Sequence, residues 1–252
     1  MALTDGAHVC LSPPAFPAIR FGPNLTVQRT LHHFPLDPAS RQVRLALGEK
    51  RLAYTDNVVR VWERPQALLD LNPSGLTPVL VEEENGQKLV VCESRAILEH
   101  LEESHPEPPL LGREAADRAE ARRLVNWFDR KFDYEVNGLL LHEKLEKRLM
   151  HMGAPDLANM RVGREALRAH LAYLEELLNQ RDWLAGRRMS LADLAGAANI
   201  SVIDYFGDVP WRDYPATKTW YMKVKSRPCF RTLLTDRWPG LAPAGHYDDL
   251  DF

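Results

Sequence analysis

The side chains best suited to chemistry in this 252-residue chain fall at the ends of its elements and at its C-terminal end. Asp37, set before Pro38, can only accept hydrogen bonds once ionised. The donors near it are Ser40, His32 and His33. Ser40 itself reads as the cap of the helix that follows. Glu93 and Ser94 open a later helix and are residue types that capping alone would favour. Trp62 stands in Arg60-Val-Trp-Glu-Arg64, after a strand, where a large ring is exposed or at an interface. Trp is frequent among the residues that dominate binding energy. The chain ends in Tyr247-Asp-Asp-Leu-Asp-Phe252, in which Tyr247 and Phe252 can anchor on a partner while Asp249 and Asp251 steer by charge. The alternative is a tail that folds back on its own domain. No metal is expected, because His32-His33, His142, His151 and His246 lack ligand spacing on a shared element.

Periodicity supplies the elements that position these residues. Thr30–Phe34 reads as a strand, and Ser40–Leu47 as a helix with Val43, Ala46 and Leu47 on one face and Gly48 as its stop. A strand over Ala53–Val59 and a helix around Pro65–Leu71 follow, then the turn cluster Asn72-Pro-Ser-Gly75. Val79–Glu82 and Lys88–Cys92 flank Asn85-Gly86, a strong hairpin signal, and Ser94–Ser104 is helical with Ile97, Leu98 and Leu101 inward. The order is β-α-β-α-β-β-α.

Pro106, Pro108 and Pro109 then break the chain, and a second, helical domain is expected from residue 113. One long helix presents Ala121, Leu124, Val125, Phe128 and Phe132, and another presents Leu167, Leu171, Leu174 and Leu178. Ser190-Leu-Ala-Asp193 is a capping box variant that opens a third. These stripes, with Trp127, Trp183 and Trp220, are core.

Hydrophobic residues at 45% and charged ones at 27% exclude global disorder. A net charge of −3, from 32 basic and 35 acidic residues, gives no electrostatic reason to hold nucleic acid or anionic lipid. The basic stretch Lys144, Lys147, Arg148 and Arg161 around Gly153 and Pro155 reads as a solvated interhelical loop. No apolar run reaches the roughly 18 residues of a membrane span, so no membrane insertion is expected. Three cysteines, Cys10, Cys92 and Cys229, form an odd, widely spaced set that suits a reducing compartment, the cytoplasm.

Leu76-Thr77-Pro78 opening the third strand and Glu93-Ser94 starting the helix after the fourth resemble the glutathione transferase family. The Asn72–Leu80 and Leu184–Asp193 stretches add to the likeness, which covers residues 30 to about 236. The resemblance implies an α/β plus all-α fold. Residues 29–112 would form a thioredoxin-like domain and 113–236 a helical domain, with a Pro-containing extension over 1–28 and an acidic, aromatic tail over 237–252. It further implies that Thr77 and a cis Pro78 pair with the backbone of glutathione, and that Ser94, beside Glu93, holds its γ-glutamyl carboxylate on a helix N-terminus.

In that alignment Asp37 falls where the family places the Ser or Cys that activates the thiol. Leu76 stands where many relatives use Lys or Gln to hold the glycyl carboxylate. The expected catalytic group is therefore missing, the glutathione contacts at Thr77, Pro78, Glu93 and Ser94 are vestigial, and no cofactor is called for. The alternative is a working glutathione transferase or related isomerase, with glutathione bound.

Phe34–Arg44, Asn72–Gly75 and His246–Phe252 resemble one non-enzymatic branch of glutathione transferase-like proteins. What that likeness implies is a cytoplasmic homodimer at the division site that binds polymers of the tubulin-like GTPase FtsZ and promotes septal constriction. Trp62, Tyr247, Asp249, Asp251 and Phe252 would be its partner-binding residues, the alternative for Trp62, by likeness to glutathione transferase dimers, being a subunit contact or a wall of the pocket.

Overall fold

The computed structural model describes residues 27–250. The extension expected over residues 1–28 lies outside the described residues as far as residue 26, and strand β1 (Gln28–His33) already begins within its last positions. Helix α1 (Pro38–Glu49), β2 (Thr55–Val58), a 3₁₀ turn at Val61–Glu63, α2 (Gln66–Leu69), β3 (Val79–Glu84), β4 (Gln87–Cys92) and α3 (Ser94–Ser104) complete the first domain. The sheet order is β2-β1-β3-β4, with β2 parallel to β1 and β3 antiparallel to both β1 and β4. Asn85 and Gly86 turn the hairpin at φ of 52° and 77°, the left-handed pair that matches the strands' twist.

Two local readings change. Helix α1 runs through Gly48 to Glu49, so Gly48 does not end it. A Cβ at Gly48 would lie 2.7 Å from that of Cys229, and the glycine instead lets the helix approach the C-terminal segment. The helix also starts earlier than Ser40: Asp37 is its cap and Pro38 its first residue, the position where a missing N–H costs nothing.

The helical domain comprises α4 (Ala115–Asn126), a π-helical stretch Trp127–Asn137, α5 (Gly138–Leu141), a second π-helical stretch His142–Glu146, α6 (Lys147–Leu149), α7 (Leu157–Leu178), α8 (Leu191–Tyr205), α9 (Pro215–Lys225) and α10 (Arg231–Leu234). The first long helix thus contains two widened segments in place of a uniform α-helix. Helix α8 is its axis: all fifteen residues are buried. Ser190 and Asp193 form the expected capping box, and Asp193 also accepts from Trp220 Nε1 at 2.8 Å.

One apolar core runs through both domains, from Leu31 and Val43 to Ile200 and Trp220. The linker is pinned by buried Lys50, whose ammonium donates to the carbonyls of His105 (2.7 Å) and Pro108 (3.1 Å) and pairs with Glu102 at 2.6 Å. The basic stretch is likewise tied down. Lys144 pairs with Asp208 and Lys147 with Glu143, and Glu143 also accepts from Asp156 N (2.7 Å) and Asn159 Nδ2 (3.0 Å). Among the described residues no helix is long and apolar enough to cross a membrane.

Candidate functional site

Three strings meet at one end of the sheet: the β1–α1 turn, the turn before β3, and the start of α3. Asn72 folds the second of these on itself. Its side chain accepts from Ser74 N (3.2 Å) and donates to Leu76 O (3.0 Å), leaving Leu76 54% exposed. The Thr77–Pro78 peptide that follows is cis. Thr77 Oγ1 donates to Asp37 at 3.1 Å, and Pro78 O accepts from Glu93 N at 3.2 Å. The cis-proline turn therefore ties the start of α1 to the start of α3.

At α1, four donors converge on Asp37. Its Oδ1 accepts from Ala39 N (3.1 Å), and its Oδ2 from Ser40 N (3.1 Å), Ser40 Oγ (2.6 Å) and Thr77 Oγ1 (3.1 Å). Ser40 is thus no cap. Its hydroxyl is spent on Asp37 while accepting from Phe34 N at 3.3 Å. Burial pushes the Asp37 carboxyl up to about 6, against the opposing pull of these hydrogen bonds. The two histidines are engaged elsewhere. His32 Nδ1 lies 2.9 Å from Asn57 Nδ2, and His33 Nε2 lies 3.0 Å from Asp56, with burial lowering His33 to about 4.

Helix α3 begins differently. Glu93 precedes it with φ of 70°, outside the comfortable range for a side-chain-bearing residue. It is exposed, and its carboxylate accepts from Ser74 Oγ at 3.3 Å. Ser94 is the half-buried first residue. Among the described residues no side chain caps the helix's first amides, and the positive end of a helix suits a carboxylate.

Trp62 lies apart from these groups, on the Val61–Glu63 turn. It is half-buried and packs edge-on against Phe34 (5.2 Å) and Trp238 (5.7 Å). Residues 237–250 fold back on their own chain. Tyr247, expected as an exposed anchor, is instead fully buried: its hydroxyl accepts from Arg41 at 3.0 Å and donates to Leu233 O at 3.2 Å, and its ring sits on Tyr205. An aromatic ring with a satisfied hydroxyl gains more inside than at the surface. His246 pairs with buried Asp204 at 2.8 Å, and that hydrogen bond raises its pKa. Asp249 keeps an exposed side chain while its carbonyl accepts from Lys225 at 2.6 Å. Asp251 and Phe252 lie outside the described residues.

Sequence reasoning missed the group that organises this junction. Arg41 is fully buried and donates to Pro35 O (2.8 Å), Ser201 Oγ (2.7 Å), Tyr247 Oη (3.0 Å) and Asp236 (3.1 Å). Arg44 adds two bonds to Asp236, at 2.8 and 3.0 Å. Apart from Pro35, Arg41's partners lie 160 to 206 residues away and leave no local signature.

A thioredoxin-type sheet with a cis-proline turn beside two helix starts, followed by a helical domain, defines the glutathione S-transferase class. The chain belongs to that family: the model for the glutathione S-transferase N-terminal domain matches residues 31–109 and that for the C-terminal domain residues 151–236. Within it, the chain is 73% identical to FtsZ-localized protein A of Caulobacter vibrioides over 228 residues, 90% of this chain and 100% of that protein. The solved structure of FzlA from C. crescentus superposes with a TM-score of 0.89 at 73% identity, covering 89% of this chain and 100% of that one. A glutathione S-transferase structure from Rhodospirillum rubrum F11 is 51% identical with a TM-score of 0.86, again covering 89% and 100%.

Proposed function

We propose that this chain binds FtsZ polymers at the division site as a non-enzymatic homodimer in the cytoplasm and promotes septal constriction. The relative of 73% identity that carries FtsZ localisation in its name supports the association. The observation that carries the non-enzymatic reading is the saturation of the α1 start by Asp37. The two amides and two hydroxyls that would stabilise a thiolate there already serve a carboxylate.

An ionised Asp37 about 4 Å from a thiolate would repel it by about 4 kcal/mol at an effective dielectric near 20, raising the thiol's pKa. Leu76 offers no charge-assisted contact to the glycyl carboxylate, a loss of about 1.5–3 kcal/mol. Two matching subunits meeting a polymer of repeated subunits gain avidity without new contacts. Trp62 and the end of the chain, Asp249, Asp251 and Phe252, are the proposed partner contacts. Tyr247 belongs to the tail's own anchorage.

Co-sedimentation of the full chain with FtsZ polymers tests this. Pelleting that fails with wild-type protein overturns the polymer reading. Equal pelleting of wild type and an Asp249→Lys/Asp251→Lys variant removes the tail's role.

The uncapped start of α3 beside the cis Thr77–Pro78 turn favours a second reading, a glutathione transferase or related isomerase. Conjugation of thiol to electrophiles well above the uncatalysed rate, abolished by Ser94→Ala, would establish it.

A further inference from the structure

The Val61–Glu63 turn that carries Trp62 is closed by Glu63 N to Arg60 O and Arg64 N to Val61 O, both at 3.0 Å. Val61 packs on the buried cluster of Val59, Leu68, Val79 and Val81, but none of this touches the indole's outer face. Strand β2 before it is exposed at all four residues, none of the turn's three residues is buried, and Arg64 closes it in a left-handed conformation at φ of 47°. What fixes the indole is a triangle of rings. Phe34, Trp62 and Trp238 stand mutually perpendicular, at 82° to 83°, with centroids 5.2, 4.9 and 5.7 Å apart. Edge-to-face pairs of this kind are attractive beyond the area they bury. Trp238 grips the turn a second time, since the Arg60 guanidinium lies over its ring at 6.0 Å while bonding Glu63 at 3.2 Å.

Trp238 is itself held from both sides. Two residues earlier, Asp236 is clamped by Arg41 and Arg44. Three residues later, Leu241 N donates to Trp238 O at 3.0 Å and Leu241 O accepts from Tyr205 Oη at 2.5 Å. The root of the terminal segment is thus a rigid arm, and its indole is the wall against which Trp62 stands. Phe34 supplies the floor and is 4% exposed.

We infer that Trp238 is a positioning residue for Trp62, so that the 60–64 turn and the root of the terminal segment form one docking surface instead of two. This rests on the polymer-binding reading above. A partner that engages Trp62 then reads the placement of Trp238 as well, although one lies in the thioredoxin-type domain and the other in the terminal segment.

The test is a double-mutant cycle in the full chain, with Trp62→Ala, Trp238→Ala, their combination and Trp238→Phe compared in FtsZ-polymer co-sedimentation. Each alanine variant is expected to weaken binding by about tenfold or more, as removal of a central Trp does. The double variant should bind no more weakly than the worse single one, because both lose the same surface. Trp238→Phe, which keeps an edge for Trp62 to meet, should restore most of the binding, an outcome that a generally destabilised tail would not give. Wild-type-like binding by Trp238→Ala, or losses that multiply to about a hundredfold in the double variant, would overturn the inference while leaving the polymer reading intact. Wild-type protein that does not pellet removes both. Should Trp238→Ala fail to fold, Trp238→Leu replaces it, with the same two outcomes deciding.

Discussion

Helices α1 and α3 begin on either side of one turn, yet their first residues do opposite things. Thr77 reaches α1 through Asp37, and Pro78 reaches α3 through the Glu93 amide. At α1 the positive helix end is neutralised from within by a carboxylate that collects four hydrogen bonds. The helix behind it is buried continuously from Ser40 to Leu47. At α3 no side chain occupies the end, and only Ile97, Leu98 and Leu101 are buried. The difference teaches that two helix starts sharing one turn can be handled in opposite ways, one capped by its own carboxylate and the other left without a side-chain cap.

The largest expected effect tests whether α1 has become structural. Arg41→Leu should lower stability by about 3–5 kcal/mol, because it removes a fully buried cation from beside Asp236. Arg95→Leu on the exposed face of α3 should stay within about 0.5 kcal/mol. Denaturant midpoints that shift equally for the two would break the contrast.

The next is a pH profile. Asp37 is raised from 3.8 to about 6, so its folded state prefers the protonated form. The stability this contributes is complete below pH 3.8 and fades as pH rises through about 6. Wild type should therefore lose up to about 3 kcal/mol across that window, and Asp37→Asn, which keeps an acceptor and cannot ionise, should not. Parallel profiles from thermal melts of the two proteins would contradict the assignment.

Smaller still is the gain in glutathione affinity for Asp37→Ser, expected at about tenfold once the resident charge is gone. Calorimetric titration reads it directly, and an unchanged isotherm would mean that the pocket is closed for other reasons. Ser94→Ala should change stability by less than about 0.5 kcal/mol, since the half-buried hydroxyl has no capping bond to lose. A shift in melting temperature of several degrees would show that Ser94 acts as a cap after all.

Much of the fold was legible because its signals are local. The Asn85-Gly86 hairpin, the limits of α3 and the Ser190/Asp193 box each depend on residues within a few positions of one another. The cap of α1 lies three residues before Ser40, the residue expected in that role, because Asp37 and Ser40 are both good caps. Pro38 was the discriminating signal, being favoured at the first helical position. The widened helix also left a trace. Leu124, Phe128, Phe132, Val136 and Leu140, all fully buried, recur every fourth residue. On an ideal α-helix that spacing drifts by about 40° at each step, so keeping all five on the core requires wider turns. Tyr247 and Arg41 had no such trace. Their bond spans 206 residues, and alternating acids and rings read as a surface until the partner is known.

The clamp on Tyr247 also decides where mechanical load would travel. A pull on the final residues would not peel the tail away turn by turn, because the buried ring and its bond to Arg41 stand between the end of the chain and its root. Tension would cross to α1, on the far domain, and be resisted there by Asp236, Ser201 and the carbonyl of Pro35 together. A tether fixed to the last two residues would thus tug on the junction between domains through Arg41, four residues from the Asp37 carboxylate that caps α1.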